Sequence, residues 1–141
     1  MTDYRTQHND DSITHIEEAL YPPLTVVDMN REAASVSADY KNFVVLHVND
    51  HCLRIAVMQG EFRWHQHPGS DECFVVLEGE LEIDLAGGRT VRLKPGEAFT
   101  IPAGVVHRTR SRARAVNLCF EKQSAYTDVV FEDTLDNVEG D

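Results

Sequence analysis

Residues 64–72, which read WHQHPGSDE, hold the side chains with the clearest capacity for chemistry. His65 and His67 are separated by one residue, so an extended backbone places both imidazoles on the same face. Glu72 comes five residues after the second histidine and shares its parity with an apolar series in the next predicted strand. An unpaired carboxylate on such a face is expensive to bury, so Glu72 needs a cation beside it or must be protonated. A metal ion would satisfy the carboxylate and the imidazoles together.

A third histidine, His107, follows a second stretch rich in Gly and Pro. In the segment HRTRSRARA it shares odd parity with the small residue Thr109, whereas every arginine has even parity. We therefore expect His107 to point inward and the arginines to point outward, where they can pair with carboxylates. The residues of this outward face are Arg108, Arg110, Arg112 and Arg114, and their expected partners are Glu80, Glu82 and Asp84. Because the region is nearly neutral, a salt-bridged surface is favoured over an anion or nucleic-acid site.

Each of these residues alone has an ordinary structural explanation, such as a surface histidine or a salt-bridged glutamate. Four ligand-type residues with one inward parity are a much rarer combination, and they favour metal binding. Imidazole and carboxylate ligands suit one divalent transition metal ion, namely iron, manganese, nickel, copper, cobalt or zinc, rather than calcium or magnesium. Cys73 has the parity opposite to that of Glu72, so we expect it to pack rather than to bind metal.

Short runs of alternating apolar and polar residues, separated by Gly and Pro, predict an all-β sandwich or barrel. The clearest alternation is ELEIDLA, in which Leu81, Ile83 and Leu85 share one face. The predicted strands are 43–49, 52–58, 72–79, 80–86, 90–94, 97–102, 105–110 and 114–121, with a brief strand at 25–28 and an edge strand at 128–131.

The two ends of the chain lack this regular pattern. Residues 1–12 are polar and acidic, so we expect them to be flexible. A short helix through residues 15–20 is predicted, capped by Ser12 or Thr14 and stopped by the two prolines at 22–23. Residues 30–41 form a polar connection with room for another helical turn.

The length of 141 residues suits one domain with its own core. The net charge is −11, and the acidic excess lies in the flanks, outside residues 60–121. This charge argues against nucleic acid or an anionic membrane as a partner. The sequence shows no signal peptide and no apolar run of membrane-spanning length, and its three cysteines have no metal-clip or redox spacing. We therefore expect a cytoplasmic protein with reduced thiols.

The spacings described above resemble the two motifs of the cupin superfamily. The first motif consists of a Gly, a His-x-His pair, a Glu and a closing Gly, which here are Gly60, His65, His67, Glu72 and Gly79. The second motif corresponds to Gly96, Pro102, Gly104 and His107. The chain departs from the usual pattern in having four rather than five residues before the first histidine. It also has Ser111 where Asn is common, at a position that is not a metal ligand in the family.

This resemblance implies a double-stranded β-helix, the jelly-roll barrel of the cupins, with a short N-terminal helical segment. It divides the chain into a flexible N-terminus (1–12), an N-terminal extension (13–42), the cupin barrel (43–121) and an acidic C-terminal tail (122–141). It implies that the metal ligands are His65, His67, Glu72 and His107. The short interval between the motifs is similar to that of single-domain cupins loosely labelled mannose-6-phosphate isomerase-like.

Cupins carry out many different functions, so the resemblance leaves two open. The first is a metal-dependent enzyme, dioxygenase-like or isomerase-like, that acts on a small oxygen-bearing metabolite. The second is a non-catalytic module in which the barrel binds a small ligand or the metal stabilises the fold. Arg63 and Gln66 are candidates to approach a substrate, whereas no role is assigned to His47 or His51. Single-domain cupins are commonly dimers, so we expect a homodimer with residues 25–28 or 128–131 packed across its axis.

Overall fold

The computed structural model describes residues 17–132 and shows one curled antiparallel sheet. In chain order its elements are helix α1 (Met29–Ala34) and strands β1 (Tyr40–Val48), β2 (His51–Glu61), β3 (His65–Gln66), β4 (Glu72–Glu78), β5 (Leu81–Leu85), β6 (Arg89–Leu93), β7 (Ala98–Ile101), β8 (His107–Lys122) and β9 (Val130–Phe131). A 3-10 turn, Gln123–Tyr126, follows β8. The predicted all-β jelly-roll class and the hairpin formed by β1 and β2 are confirmed.

Strand β8 holds the barrel together. It is 16 residues long and pairs with β2 along one edge and with β4 and then β5 along the other. The prediction of two separate strands at 105–110 and 114–121 was wrong, because the residues between them include no Gly or Pro that would interrupt pairing. The odd-numbered residues of β8 are buried from His107 to Glu121, with the exception of Ala113. His107 at its start and Glu121 near its end are both buried on the inner face.

Two apolar clusters support the barrel. The cluster inside it consists of Met58, Phe74, Val76, Leu81, Ile83, Leu93, Ile101 and Cys119. The second cluster lies where α1 packs near β2, and consists of Ala33, Val36, Val45, Ile55, Val57 and Val116. Leu81 and Ile83 lie in the inner cluster, whereas Glu82 and Asp84 pair with Arg110, so the side chains of β5 alternate between two faces as predicted.

The N-terminal extension differs from the sequence prediction. Residues 25–28 do not form a strand; instead Asp28 caps α1 by accepting a hydrogen bond from the Arg31 backbone N–H at 3.1 Å. Residues 17–20 are not helical, and the rest of the helix predicted from Ser12 lies outside the described residues. These residues are not helical because their backbone bonds to β1 instead. The N–H groups of residues 20 and 21 donate to carbonyl oxygens of β1 at 3.0 and 3.2 Å, so the segment runs along the edge of that strand. The helical segment is α1, inside the polar connection where a helical turn was expected.

Two of the outward arginines, Arg108 and Arg110, pair with carboxylates of β5 as predicted, whereas Arg114 pairs with Glu78 of β4 at 3.3 Å. Arg108 Nε lies 2.9 Å from Asp84 Oδ2, and Arg110 reaches both Asp84, at 2.7 Å, and Glu82, at 2.8 Å. The two carboxylates are nevertheless buried beneath the arginine side chains. Burial alone would raise the pKa of Asp84, but hydrogen bonds from Arg110, Thr90 and Arg108 hold it well below its usual value. This face is a charge-paired wall of the barrel rather than an open anion site.

Within residues 17–132, the structure contains no helix that is long and apolar enough to cross a membrane. All three cysteines have free thiols, as predicted; Cys52 and Cys119 are buried and Cys73 is partly buried.

Candidate metal site

Four side chains predicted to face inward meet at one end of the barrel. His65 lies on β3 and is the cross-strand partner of His107, the first residue of β8, and their rings are 4.4 Å apart. His67 follows β3, and Glu72 begins β4. Single ligand atoms of His65, His67 and Glu72 all lie within 4.8 Å of one another, and His107 Nε2 is 3.1 Å from Glu72 Oε1. All four residues are buried, and His107 joins the group of three through its contact with Glu72.

Each of the three imidazoles is oriented by a backbone carbonyl. The Nδ1 atoms of His65, His67 and His107 lie 2.8, 2.9 and 2.9 Å from the carbonyl oxygens of Arg63, Ala125 and Val105. A carbonyl only accepts, so each Nδ1 must carry the proton. When the ring is neutral, Nε2 then holds its lone pair available for a cation. Three fixed tautomers and a carboxylate form a donor set that suits a divalent transition metal.

The contacts of Glu72 also require a positive charge in the site. Its Oε1 lies 3.1 Å from His107 Nε2 and 3.7 Å from His67 Nε2. An oxygen lone pair and a nitrogen lone pair repel at such distances, so a proton or a metal ion must be shared among these atoms. Burial alone would raise the pKa of Glu72, but the hydrogen bond from His107 and the charge of His67 keep it well below its usual value.

The histidines differ in how readily they take up a proton. Burial, and next to it the nearby His107, lowers the pKa of His65 to about 3, so its imidazole is neutral at physiological pH. Burial also opposes a charge on His67, but the carboxylates of Asp128 and Glu72 outweigh it and raise its pKa to about 9. In the metal-free protein at neutral pH, His67 therefore carries a positive charge, which offsets part of the negative charge of Glu72.

Sequence reasoning missed two neighbours of this site, Cys119 and Glu121. Cys119 Sγ donates to Glu72 Oε2 at 3.0 Å, and Glu121 Oε2 accepts from Arg54 Nε at 3.0 Å. Burial, together with the charges of Glu121 and Glu72, raises the pKa of the Cys119 thiol well above its ordinary value, so this thiol is a hydrogen-bond donor. Both residues have odd numbers, like His107. If β8 is treated as one continuous strand, this shared parity predicts that they lie on the inner face with His107.

The segment after β8 also contacts the site, although the sequence offered no signal for this. The Ala125 carbonyl orients His67, and Asp128 Oδ1 lies 3.6 Å from the same Nδ1. Asp128 is held in place because its Oδ2 accepts from the Gly69 backbone N–H at 2.9 Å. Residues 130–131 then form β9, which pairs with β3 at the edge of the sheet, in agreement with the edge strand predicted there.

The remaining candidates lie outside the site. Arg63 stacks on the ring of Phe131, with its guanidinium carbon 3.6 Å from the ring centroid, and Gln66 donates to Glu132 at 3.0 Å. His47 is exposed and His51 stacks on the ring of Phe120. Cys73 lies on the face of β4 opposite to Glu72 and is partly buried, as expected for a packing residue.

A small cavity of about 40 Å³ inside the barrel is lined by three of the four residues, His65, His67 and Glu72. Its wall combines apolar side chains with polar ones; the lining residues used below are Met58, Phe74, Asn117, Cys119 and Glu121. A larger open cleft of about 510 Å³ lies on the outer face, beside Arg110 and Arg112, and is not lined by any of the four candidate ligands. The inner cavity is therefore the place where a ligand would meet a metal ion.

Comparison with known proteins identifies the family. Residues 53–120 match the Cupin domain family. The chain is 51% identical over 100 residues to the uncharacterized protein YdbB of Bacillus subtilis (strain 168), a match that covers 71% of this chain and 88% of YdbB. The structure of a cupin-2 domain containing protein from Shewanella frigidimarina NCIMB 400 is similar with a TM-score of 0.65 and 29% identity, covering 69% of this chain and 94% of that one.

An enzyme shares the same fold. The structure of DMSP lyase DddQ from Ruegeria pomeroyi DSS-3 is similar with a TM-score of 0.57 and 24% identity, covering 65% of this chain and 51% of that one. At this identity the likeness concerns the fold alone. The family match along the barrel, the relative of similar length and the structural neighbours agree with one another, and on these grounds the chain belongs to the cupin superfamily.

Proposed function

We propose that this protein binds one divalent transition metal ion through His65, His67, Glu72 and His107, and that it is a metal-dependent enzyme acting on a small oxygen-bearing molecule. The observation that carries the proposal is the hydrogen bond from each histidine Nδ1 to a backbone carbonyl, which leaves each Nε2 available to a cation. The Nε2 atoms of His67 and His107 lie 3.7 and 3.1 Å from the buried Glu72 carboxylate. A structural role for these histidines would not require the same tautomer in all three.

The arrangement leaves room for chemistry. When bound to these four residues, an iron, manganese, nickel or cobalt ion would act as a Lewis acid or as an electron carrier toward a small oxygen-bearing molecule. The protein contributes a neutral His65, a carboxylate that offsets part of the ion's charge, and a Cys119 thiol that holds Glu72 in place. Apolar side chains such as Met58 and Phe74 form part of the cavity wall.

The test compares turnover by metal-loaded protein, metal-stripped protein and a His67→Ala variant. Candidate substrates are diketones, flavonoids, thiols and keto-sugars, which cover dioxygenase-like and isomerase-like reactions. We expect turnover of at least one class that disappears on chelation and returns with a single metal. Turnover that survives both chelation and His67→Ala would contradict the proposal.

A second candidate is a non-catalytic cupin in which the metal stabilises the fold or holds a small ligand. The small volume of the inner cavity, about 40 Å³, favours it. In that case metal removal would lower the melting temperature strongly, since binding to the native state alone adds to its stability, and no substrate class would be turned over.

The proton on His67 predicts how metal affinity depends on pH. Its folded pKa of about 9 lies above the ordinary 6.5, so its contribution to the stability of the metal-free protein is fully present below pH 6.5 and lost as pH rises through 9. Metal must displace this proton, so affinity should rise by up to about tenfold per pH unit between pH 7 and 9. Chelator competition at pH 7, 8 and 9 measures the slope.

A matched variant isolates the cause of that slope. Asp128→Asn keeps an oxygen acceptor for the Gly69 backbone N–H but removes the negative charge near His67. We expect a smaller increase of affinity with pH in this variant. Equal slopes in the two proteins would show that Asp128 does not hold the proton on His67.

We also propose that the protein is a homodimer and resides in the cytoplasm, where free thiols persist. The support for a dimer is the segment before α1, in which Leu24 and Val26 are 107% and 97% exposed. Adjacent apolar side chains that are fully exposed are typical of an interface.

The dimer predicts a concentration-dependent mass in light scattering. Replacing Leu24 and Val26 together by Glu should weaken the dimer more than about tenfold, because two charges would be buried without partners. Lys94→Glu, on an exposed loop, is the control for a change of charge. A wild-type protein that is monomeric at high micromolar concentration would exclude the dimer.

A further inference from the structure

The cavity beside the candidate ligands has a defined size. A cavity of about 40 Å³ holds on the order of three non-hydrogen atoms, since one water needs roughly 10–15 Å³ of such space. A larger substrate could place only its reacting end there. The cavity thus selects for a compact polar group.

The charges around the cavity disfavour an anionic group beyond the atom that binds the metal. Glu72 and Glu121 both line it, and among its described lining residues there is no Lys or Arg. The adjacent Arg54 is engaged by Glu121, Asn42 and Glu17, at 3.0, 3.1 and 3.0 Å. A phosphate or a second carboxylate in the cavity would find no Lys or Arg among these lining residues to balance its extra negative charge.

One polar atom in the wall lacks a partner. The Asn117 side chain is 1% exposed, and its Oδ1 has no hydrogen-bond donor within the described structure. Asn117 lies on β8 between Ala56 of β2 and Val76 of β4, whose side chains cannot donate. A buried acceptor without a donor costs about 1–3 kcal/mol, so its place in a cavity wall indicates that something else donates to it.

We propose that the site takes a small ligand that binds the metal through an oxygen and donates an uncharged N–H or O–H group to Asn117 Oδ1, such as a primary amide. Asn117 is then a specificity-determining residue, and phosphate esters are excluded. This inference rests on the proposed metal site, and it argues against a sugar phosphate as the substrate.

The test uses the cobalt(II)-loaded full chain, whose visible absorption reports ligands at the metal, with three probes of equal size. Formamide is uncharged and has an N–H donor, acetonitrile is uncharged without a donor, and formate is an anion without a donor. We expect Asn117→Leu to weaken the binding of formamide at least about tenfold, because one buried hydrogen bond is lost. The affinity for each of the other two probes should change less than about twofold. Asn117→Ala, which also lacks the acceptor, repeats the test if the Leu variant does not fold.

The outcomes separate this inference from the metal proposal. If the wild type binds no cobalt, the metal proposal fails. If cobalt binds but formamide leaves the wild-type spectrum unchanged, or binds the Asn117 variants equally well, only the role of Asn117 is overturned. Methyl phosphate that binds more tightly than formamide would overturn the exclusion of phosphate esters.

Discussion

A His107→Ala variant is expected to bind metal at least about 100-fold more weakly than the wild type. Loss of residues that merely orient metal ligands typically costs 10–100-fold, and loss of a ligand itself costs at least as much. The effect should be large here because His107 Nε2 lies 3.1 Å from Glu72 Oε1 and helps to position that carboxylate. The substitution therefore removes one ligand and also the contact that holds another. His65→Ala should behave in the same way, since the two rings are cross-strand neighbours.

Elemental analysis and chelator competition measure this effect. The matched control is His47→Ala, because His47 is an exposed histidine outside the site. The control should keep wild-type metal content and affinity. Full occupancy in both His65→Ala and His107→Ala would show that the metal lies elsewhere, and parallel circular dichroism spectra distinguish loss of metal from loss of fold.

Gly79→Ala is expected to destabilise the barrel by roughly 2–5 kcal/mol. Gly79 has φ +76, a conformation that costs other residues about 1–2 kcal/mol. A Cβ there would also lie 2.4 Å from the Arg114 carbonyl oxygen and 3.0 Å from Ala115 Cα, both backbone atoms of β8. Such overpacking typically adds about 1–3 kcal/mol because β8 cannot move without disturbing its other pairings.

Gly96→Ala separates the two causes. Gly96 also has a positive φ, +87, but an added Cβ would meet no atom within 4 Å. We expect it to cost only the conformational part, about 1–2 kcal/mol. Urea denaturation of the metal-free proteins gives the comparison. Equal destabilisation by the two substitutions would mean that the close approach of Gly79 to β8 does not contribute.

The inner face of the site could be predicted from the sequence because strands have a period of two. His65, His67, Glu72 and His107 were placed inward by parity, and parity does not depend on which strands pair. The same rule placed Arg108 and Arg110 outward. Local patterns did not predict where one strand ends and the next begins. The sequence prediction has Ser111 to Ala113 separate two strands, whereas these residues lie within β8.

The rest of the site depends on pairing between distant parts of the chain. Glu72 lies opposite Glu121 because of the register between β4 and β8, and this register brings Cys119 to the candidate ligand. Ala125 and Asp128 reach His67 only because the chain turns back after β8. The alternation within one strand carries no information about such registers, so these contacts could not be inferred from local patterns.

X-ray absorption spectroscopy of the metal-loaded protein tests the central claim most directly, because it reports the atoms bound to the ion. For zinc, we expect nitrogen and oxygen neighbours at about 2.0–2.2 Å, including the scattering pattern of three imidazoles, and no sulfur. A sulfur neighbour at about 2.3 Å would place Cys119 on the metal, and fewer than three imidazoles would contradict the ligand set.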